Sequence, residues 1–223
     1  MNAMPNWNSN VVEVRGPNKI VKSLVDHKFD FQKIHPCPEA LNITAGREGA
    51  DESEAQRALV AKEKANLKKY GYKNWYDWCC AEWGTKWNAG GEGNEDMIVD
   101  YDEDVDDQGI ALFTFQSAWA PPTALYAKLK ELHPNLYIQG RYYEPGVGFF
   151  GVWDDGDDRC YNFESIEHGS RDEFWKTEDG ILLDENFDIV EDMIHNEEYQ
   201  LDEGAKKVRD YVKGQPQNCE ETA

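Results

Sequence analysis

The chain has 223 residues, with 23 Lys and Arg against 44 Asp and Glu, a formal net charge of −21 and 40% hydrophobic residues. That apolar content supports a packed core and excludes a wholly disordered chain. The charge repels nucleic acid and anionic membranes and favours basic partners.

Mean hydropathy is −0.79. No apolar run approaches the ~18–20 residues of a membrane helix. Met1 to Asn10 has neither the basic start nor the apolar stretch of a secretory signal. A cytoplasmic location is expected, with the five cysteines (Cys37, Cys79, Cys80, Cys160 and Cys219) as reduced thiols, because no CxxC pair occurs.

In chain order, Val11 to Arg15 alternate and stop at Gly16-Pro17, which predicts a strand and a turn. Asn18 is placed to cap a helix over 19–26, with Ile20, Val21, Leu24 and Val25 inward. Pro36 and Pro38 break the next segment. Asp51 or Ser53 opens a further helix, with Gln56 completing a capping box and Gly71 as its stop. Asn74 caps a helix over 75–87, whose expected buried stripe is Tyr76, Cys80, Trp83 and Trp87, flanked by Trp75 and Cys79. Gly90, Gly91 and Gly93 mark a break. Strands are then predicted over 110–115, 136–143, 148–153 and 159–163, and a helix over 123–132 with Leu125, Leu129 and Leu132 inward. This order predicts an α+β fold, with helices on one face of an antiparallel sheet.

The acidity is concentrated in two blocks. Nine acids fall between Glu92 and Asp107, and no Lys or Arg occurs from Trp87 to Ala127. From Asp154 to Glu203 there are 19 acids against Arg159, Arg171 and Lys176. Within the second block Leu183, Phe187, Val190 and Ile194 recur at helical spacing. At ~100° per residue they fall within about 60° of one another. Asp184, Glu185, Asp188, Glu191 and Asp192 lie on the other side, so one amphipathic helix over 182–195 with an anionic face is expected. B-DNA carries a charge every ~1.7 Å of axis, and a helix rises ~1.5 Å per residue. A dense acidic helix face therefore approaches the charge density of DNA.

Several motifs then fall into a pattern. Met4-Pro5-Asn6-Trp7 precedes Asn10 and Val12-x-Val14-x-Gly16. Trp83-Gly84-Thr85-Lys86-Trp87 and Phe113-x-Phe115-x-Ser117-x-Trp119-x-Pro121-Pro122 follow, then Tyr142-Tyr143-Glu144-Pro145-Gly146 and Phe149-x-Gly151. Over roughly 4–163 the chain resembles the YubB-like proteins of bacteriophages and plasmids. It departs from them at Asn8, where that family often has Cys. The resemblance implies a ferredoxin-like fold; with the element pattern, the expected division is a ferredoxin-like domain over 1–163, with a helical insertion at about 51–88, and an acidic, partly helical extension over 164–223. It implies no established activity. The fold name brings no iron–sulfur cluster, because the cysteine ligand spacing is absent.

Catalytic motifs GxxxxGK[ST], GxSxG and HExxH do not occur. A GxGxxG at Gly146, Gly148 and Gly151 falls in an expected hairpin, not at a helix start. Asp100-x-Asp102-x-Asp104 has the opening of a calcium loop, but Val105 stands where Gly is needed and Ala111 where Glu is needed. No cofactor and no metal site are expected.

The expected function is that of a non-enzymatic acidic binding protein of phage or plasmid origin. It would block a basic nucleic-acid-binding surface of a host defence protein, such as a nuclease, by phosphate mimicry. The candidate residues are Asp100, Asp102, Glu103, Asp104, Asp106 and Asp107, with Asp184, Glu185, Asp188, Glu191 and Asp192. Two other readings stay open: a metal-dependent enzyme using clustered carboxylates, and an accessory protein whose charge serves solubility only.

Overall fold

The computed structural model describes residues 6–45, 53–89, 97–103, 106–163, 166 and 171–195. Met4, Pro5, Asp51, Gly90, Gly91, Gly93, Asp104 and Val105, for which the sequence gives expectations, lie outside them, as does the extension beyond 195. The chain divides into two compact units, 1–160 and 161–223.

The first unit is built on β1 (Trp7–Pro17), α1 (Asn18–Asp26), α2 (Phe31–Ile34), α3 (Glu54–Tyr70), α4 (Trp75–Glu82), β2 (Ile98–Glu103), β3 (Gln108–Ala118), α5 (Thr123–Leu132), β4 (Tyr137–Glu144), β5 (Phe149–Asp154) and β6 (Asp157–Asn162). The sheet order is β2-β3-β1-β4-β5-β6. The pairs β1·β3, β1·β4, β2·β3 and β4·β5 are antiparallel. Strand β1, a helix, the β2–β3 hairpin, a helix and β4 thus form the split βαβ arrangement of a ferredoxin-like fold. The remaining helices of the α1–β2 connection are inserted in it, and β5 and β6 extend its β4 side.

Alternation along the strands places one side of the sheet in the core. Val12 and Val14 of β1, Ala111, Phe113 and Phe115 of β3, and Ile138 of β4 are all 5% exposed or less. They join Val21 and Leu24 of α1 and Leu125, Tyr126 and Leu129 of α5 in a single hydrophobic cluster. At about 25 cal/mol per Å² of apolar area, this cluster is the main term that stabilises the unit.

Strand β2 was not expected. Its acids obscure an alternation in which Val99 and Tyr101 pack against the core while Ile98, Asp100 and Asp102 point outward. Charged residues are depleted in strands generally; here Asp100 and Asp102 take outward positions of an edge strand, and Glu103 is exposed at its end.

The helix boundaries follow local chemistry with three differences. The Ser53 hydroxyl accepts from the Gln56 N–H at 3.2 Å, and Gly71 ends α3 at φ 81°. Asn74 likewise caps α4 through the Asp77 N–H at 3.1 Å. However, Asn18 does not cap α1: it is the first helical residue, and its side-chain oxygen accepts from the Tyr101 hydroxyl. Helix α4 ends at Glu82, because Gly84 takes φ 86°. The buried residues of α4 are Trp78 and Cys79, with Trp83 just beyond its end, while Cys80 is exposed.

In the second unit, α6 (Arg171–Phe174) precedes α7 (Glu178–Phe187) and α8 (Ile189–His195). The single helix expected over 182–195 is broken at Asp188, which adopts φ 51°. Leu183, Ile189 and Val190 are buried. Among the described residues, no helix is long and apolar enough to cross a membrane.

Candidate functional site

The candidate acids divide between the two units. Asp100 and Asp102 project from the outward face of β2, opposite Leu112 and Ile110 of β3. Two residues apart on a strand, they are separated by roughly 6.8 Å of rise, a geometry for a charged row and not for a chelating loop. Glu103, Asp106 and Asp107 are exposed around the β2–β3 turn. The Asp107 carbonyl accepts from the Asn18 N–H at 2.8 Å, with Asp107 itself at φ 58°. Ile98 and Ile110, 60% and 42% exposed, lie on the same outward surface. Acid and aliphatic side chains therefore share one patch at the sheet edge.

In the second unit Glu185, Asp188 and Glu191 are exposed, while Asp184 and Asp192 are half-buried. The Asp184 carboxylate accepts from the Val190 N–H at 2.9 Å. The turn at Asp188 removes the continuous anionic face expected of one helix. Among the described residues, no group of three or more His, Cys, Asp or Glu could hold a metal ion.

A second cluster combines motif residues that were not selected as site residues. The Trp7 and Trp87 rings are 6.2 Å apart. The Lys86 ammonium lies 4.2 Å from the centre of Trp87 and 4.8 Å from that of Trp119. Cation–π contacts of this kind contribute about 0.5–1 kcal/mol at exposed sites. Trp119 is 44% exposed, adopts φ 67°, and donates its N–H to the Asn6 carbonyl at 2.9 Å. A non-glycine residue in that region costs roughly 1–3 kcal/mol.

Beneath this cluster, Asn10 donates to the Ser117 hydroxyl at 2.9 Å and to the Phe115 carbonyl at 3.3 Å. Ser117 donates to the Ala120 carbonyl at 2.7 Å, and Thr85 to that of Ala118 at 2.8 Å. Glu144, only 1% exposed, accepts from the N–H groups of Gly146 and Val147 at 2.8 and 2.6 Å. These bonds offset the desolvation of a buried carboxylate. Gly146, Gly148 and Gly151 lie in and after the β4–β5 turn, with no helix start beside them. The Trp-Gly-Thr-Lys-Trp and Trp-x-Pro-Pro motifs carry the sequence signal of this cluster, which the net charge does not reflect.

Titration behaviour in the first unit follows local contacts. The Tyr72 hydroxyl, 2.5 Å from Glu82, holds that carboxyl below its ordinary pKa, with His35 assisting at 3.0 Å and burial opposing. Burial, followed by the neighbouring Cys37 and Cys80, pushes the Cys79 thiol well above the usual range.

No family model and no curated protein matches the chain. The chain is similar to a solved structure, a protein api92 from Yersinia pseudotuberculosis, of family model DUF1281, at 12% identity and a TM-score of 0.37. The alignment covers 72% of this chain and 98% of that one.

Proposed function

We propose that the protein is a non-enzymatic binding module, of phage or plasmid origin, that engages a basic host protein through the outward face and edge of β2, the terminal strand of the sheet among the described residues. The observation that carries this reading is the placement of Asp100 and Asp102 on the edge strand β2, beside exposed Ile98 of the same strand and Ile110 of the neighbouring β3. A row of carboxylates steers a basic partner, and the aliphatic groups supply contact area that a purely ionic encounter lacks. An edge strand also offers backbone groups for strand addition. If the partner's basic surface binds DNA, occupancy by these acids blocks it sterically and electrostatically, as expected of a defence nuclease inhibited by phosphate mimicry.

The test uses the tagged full-length chain and a variant carrying Asp100→Lys and Asp102→Lys. Each is incubated with bacterial lysate, washed at rising salt and challenged with duplex DNA. Retention of a basic DNA-binding protein by the parent, its release by salt and by duplex DNA, and its loss in a variant of unchanged circular dichroism support the reading. A partner that the variant and the DNA leave in place overturns it. An empty capture leaves solubility as the role of the charge.

A further inference from the structure

A cavity of about 540 Å³ opens between α1, α2 and α5, on the helix side of the first unit. Its volume lies within the ~300–1,000 Å³ of small-molecule sites. Leu24, Phe29 and Leu129 form a buried apolar base, and Leu132, 48% exposed, stands at the mouth.

The polar lining has the opposite sign to the protein as a whole. Lys19, Lys33, His27 and His133 line the cavity, against Asp30 as its one acid. The Lys33 ammonium lies 3.4 Å from His27 Nδ1. Asp30 is already engaged: its Oδ1 accepts from the Gln32 N–H at 2.9 Å and from the Asn88 amide at 2.8 Å. Lys19 and Lys33 are exposed. A chain of net charge −21 thus presents one apolar cavity with cationic donors around it.

We infer that this cavity binds a small anionic amphiphile, with a carboxylate or similar head between Lys19, Lys33 and the two histidines and an apolar body against Leu24, Phe29, Leu129 and Leu132. The overall charge opposes anion binding, so preference for an anion isolates the local contribution of the rim. The apolar base makes affinity rise with chain length, by up to about fourfold per methylene that becomes buried.

The experiment is calorimetric titration of the full chain with octanoate, decanoate and, as a counter-probe of equal tail length, decyltrimethylammonium, all below micelle formation. Saturable one-to-one binding of decanoate, tighter than octanoate, with little binding of the cation is expected. A Lys19→Glu, Lys33→Glu variant changes two exposed side chains and should retain the parent circular dichroism. It should bind decanoate about tenfold more weakly, since two exposed charge pairs are lost, and should gain affinity for the cation. Amide shifts on decanoate binding should centre on His27, Lys33 and Leu132. The proposal is overturned by absence of saturable decanoate binding, by equal binding of the two head groups, by an indifferent double variant, or by shifts centred elsewhere.

Discussion

The carboxylate of Asp184 accepts a hydrogen bond from the backbone N–H of Val190 at 2.9 Å, across the turn that separates α7 from α8. An acid that a helical wheel places on a solvent-facing row thus satisfies a donor in the first turn of α8. Loss of such an acceptor costs about 0.5–2 kcal/mol. Asp184→Lys should therefore accelerate amide hydrogen exchange across 178–195, whereas Asp184→Asn, which keeps an oxygen acceptor, should change it little. Glu185→Lys, on an exposed neighbour, should leave exchange unchanged. Equal effects at 184 and 185 would show that the cap contributes nothing.

Gly151 lies where β5 passes Tyr142 and Arg159. A Cβ there would run into the Tyr142 hydroxyl and would sit 2.5 Å from the Arg159 carbonyl oxygen. The carbonyl belongs to the backbone of β6 and cannot rotate aside. Overpacking of this kind costs typically ~1–3 kcal/mol. Gly151→Ala should lower the urea midpoint accordingly, through crowding, whereas Gly156→Ala, with open space around it, should lower it through backbone strain at its φ of 119° instead. Urea unfolding of both variants tests the two losses.

Tyr137 donates to Asp154 Oδ1 at 2.8 Å. Burial first, then that bond and the Asp154 charge, push its pKa up to about 12 from an ordinary 10. A raised folded-state pKa means that the native chain holds a proton the unfolded chain has released. The associated stability is fully present below pH 10 and is lost as pH rises from 10 towards about 12. Tyr137→Phe should make stability fall less steeply over that window. It should not abolish the slope, because burial also raises Tyr126 and Tyr142. Urea titrations at a series of alkaline pH values read this directly.

Glu82 is held below its ordinary pKa chiefly by the Tyr72 hydroxyl. Its contribution to stability is present above the unfolded-state carboxyl pKa and is lost as pH falls through the lower folded-state value. Tyr72→Phe should move the Glu82 midpoint upward, as followed by carboxyl-carbon NMR, and should diminish the acid sensitivity of the fold. An unmoved midpoint would assign the effect to His35 instead.

These contacts show how much was legible beforehand. Alternating residues such as Val12 and Val14, the Ser53 and Asn74 caps and the Gly71 stop act over a few residues, so the amino-acid order reveals them. Strand β2 was hidden because its outward acids mask the inward pair Val99 and Tyr101, and only pairing with β3 makes that alternation a strand. Asn18 looked like a cap, but its oxygen is taken by Tyr101, a residue 83 positions away.

The sequence by itself determined the net charge, its concentration in two blocks, the α+β class and most of the helices and strands. Only the tertiary structure decided which acids remain on the surface, since Asp184 is drawn into a turn by the Val190 N–H while Asp100 and Asp102 are directed outward by the pleat of β2. It also decided that Lys19, Lys33, His27 and His133 meet at one cavity. Their spacing along the chain carries no periodic signal, and their proximity follows from the packing of α1, α2 and α5 on the sheet.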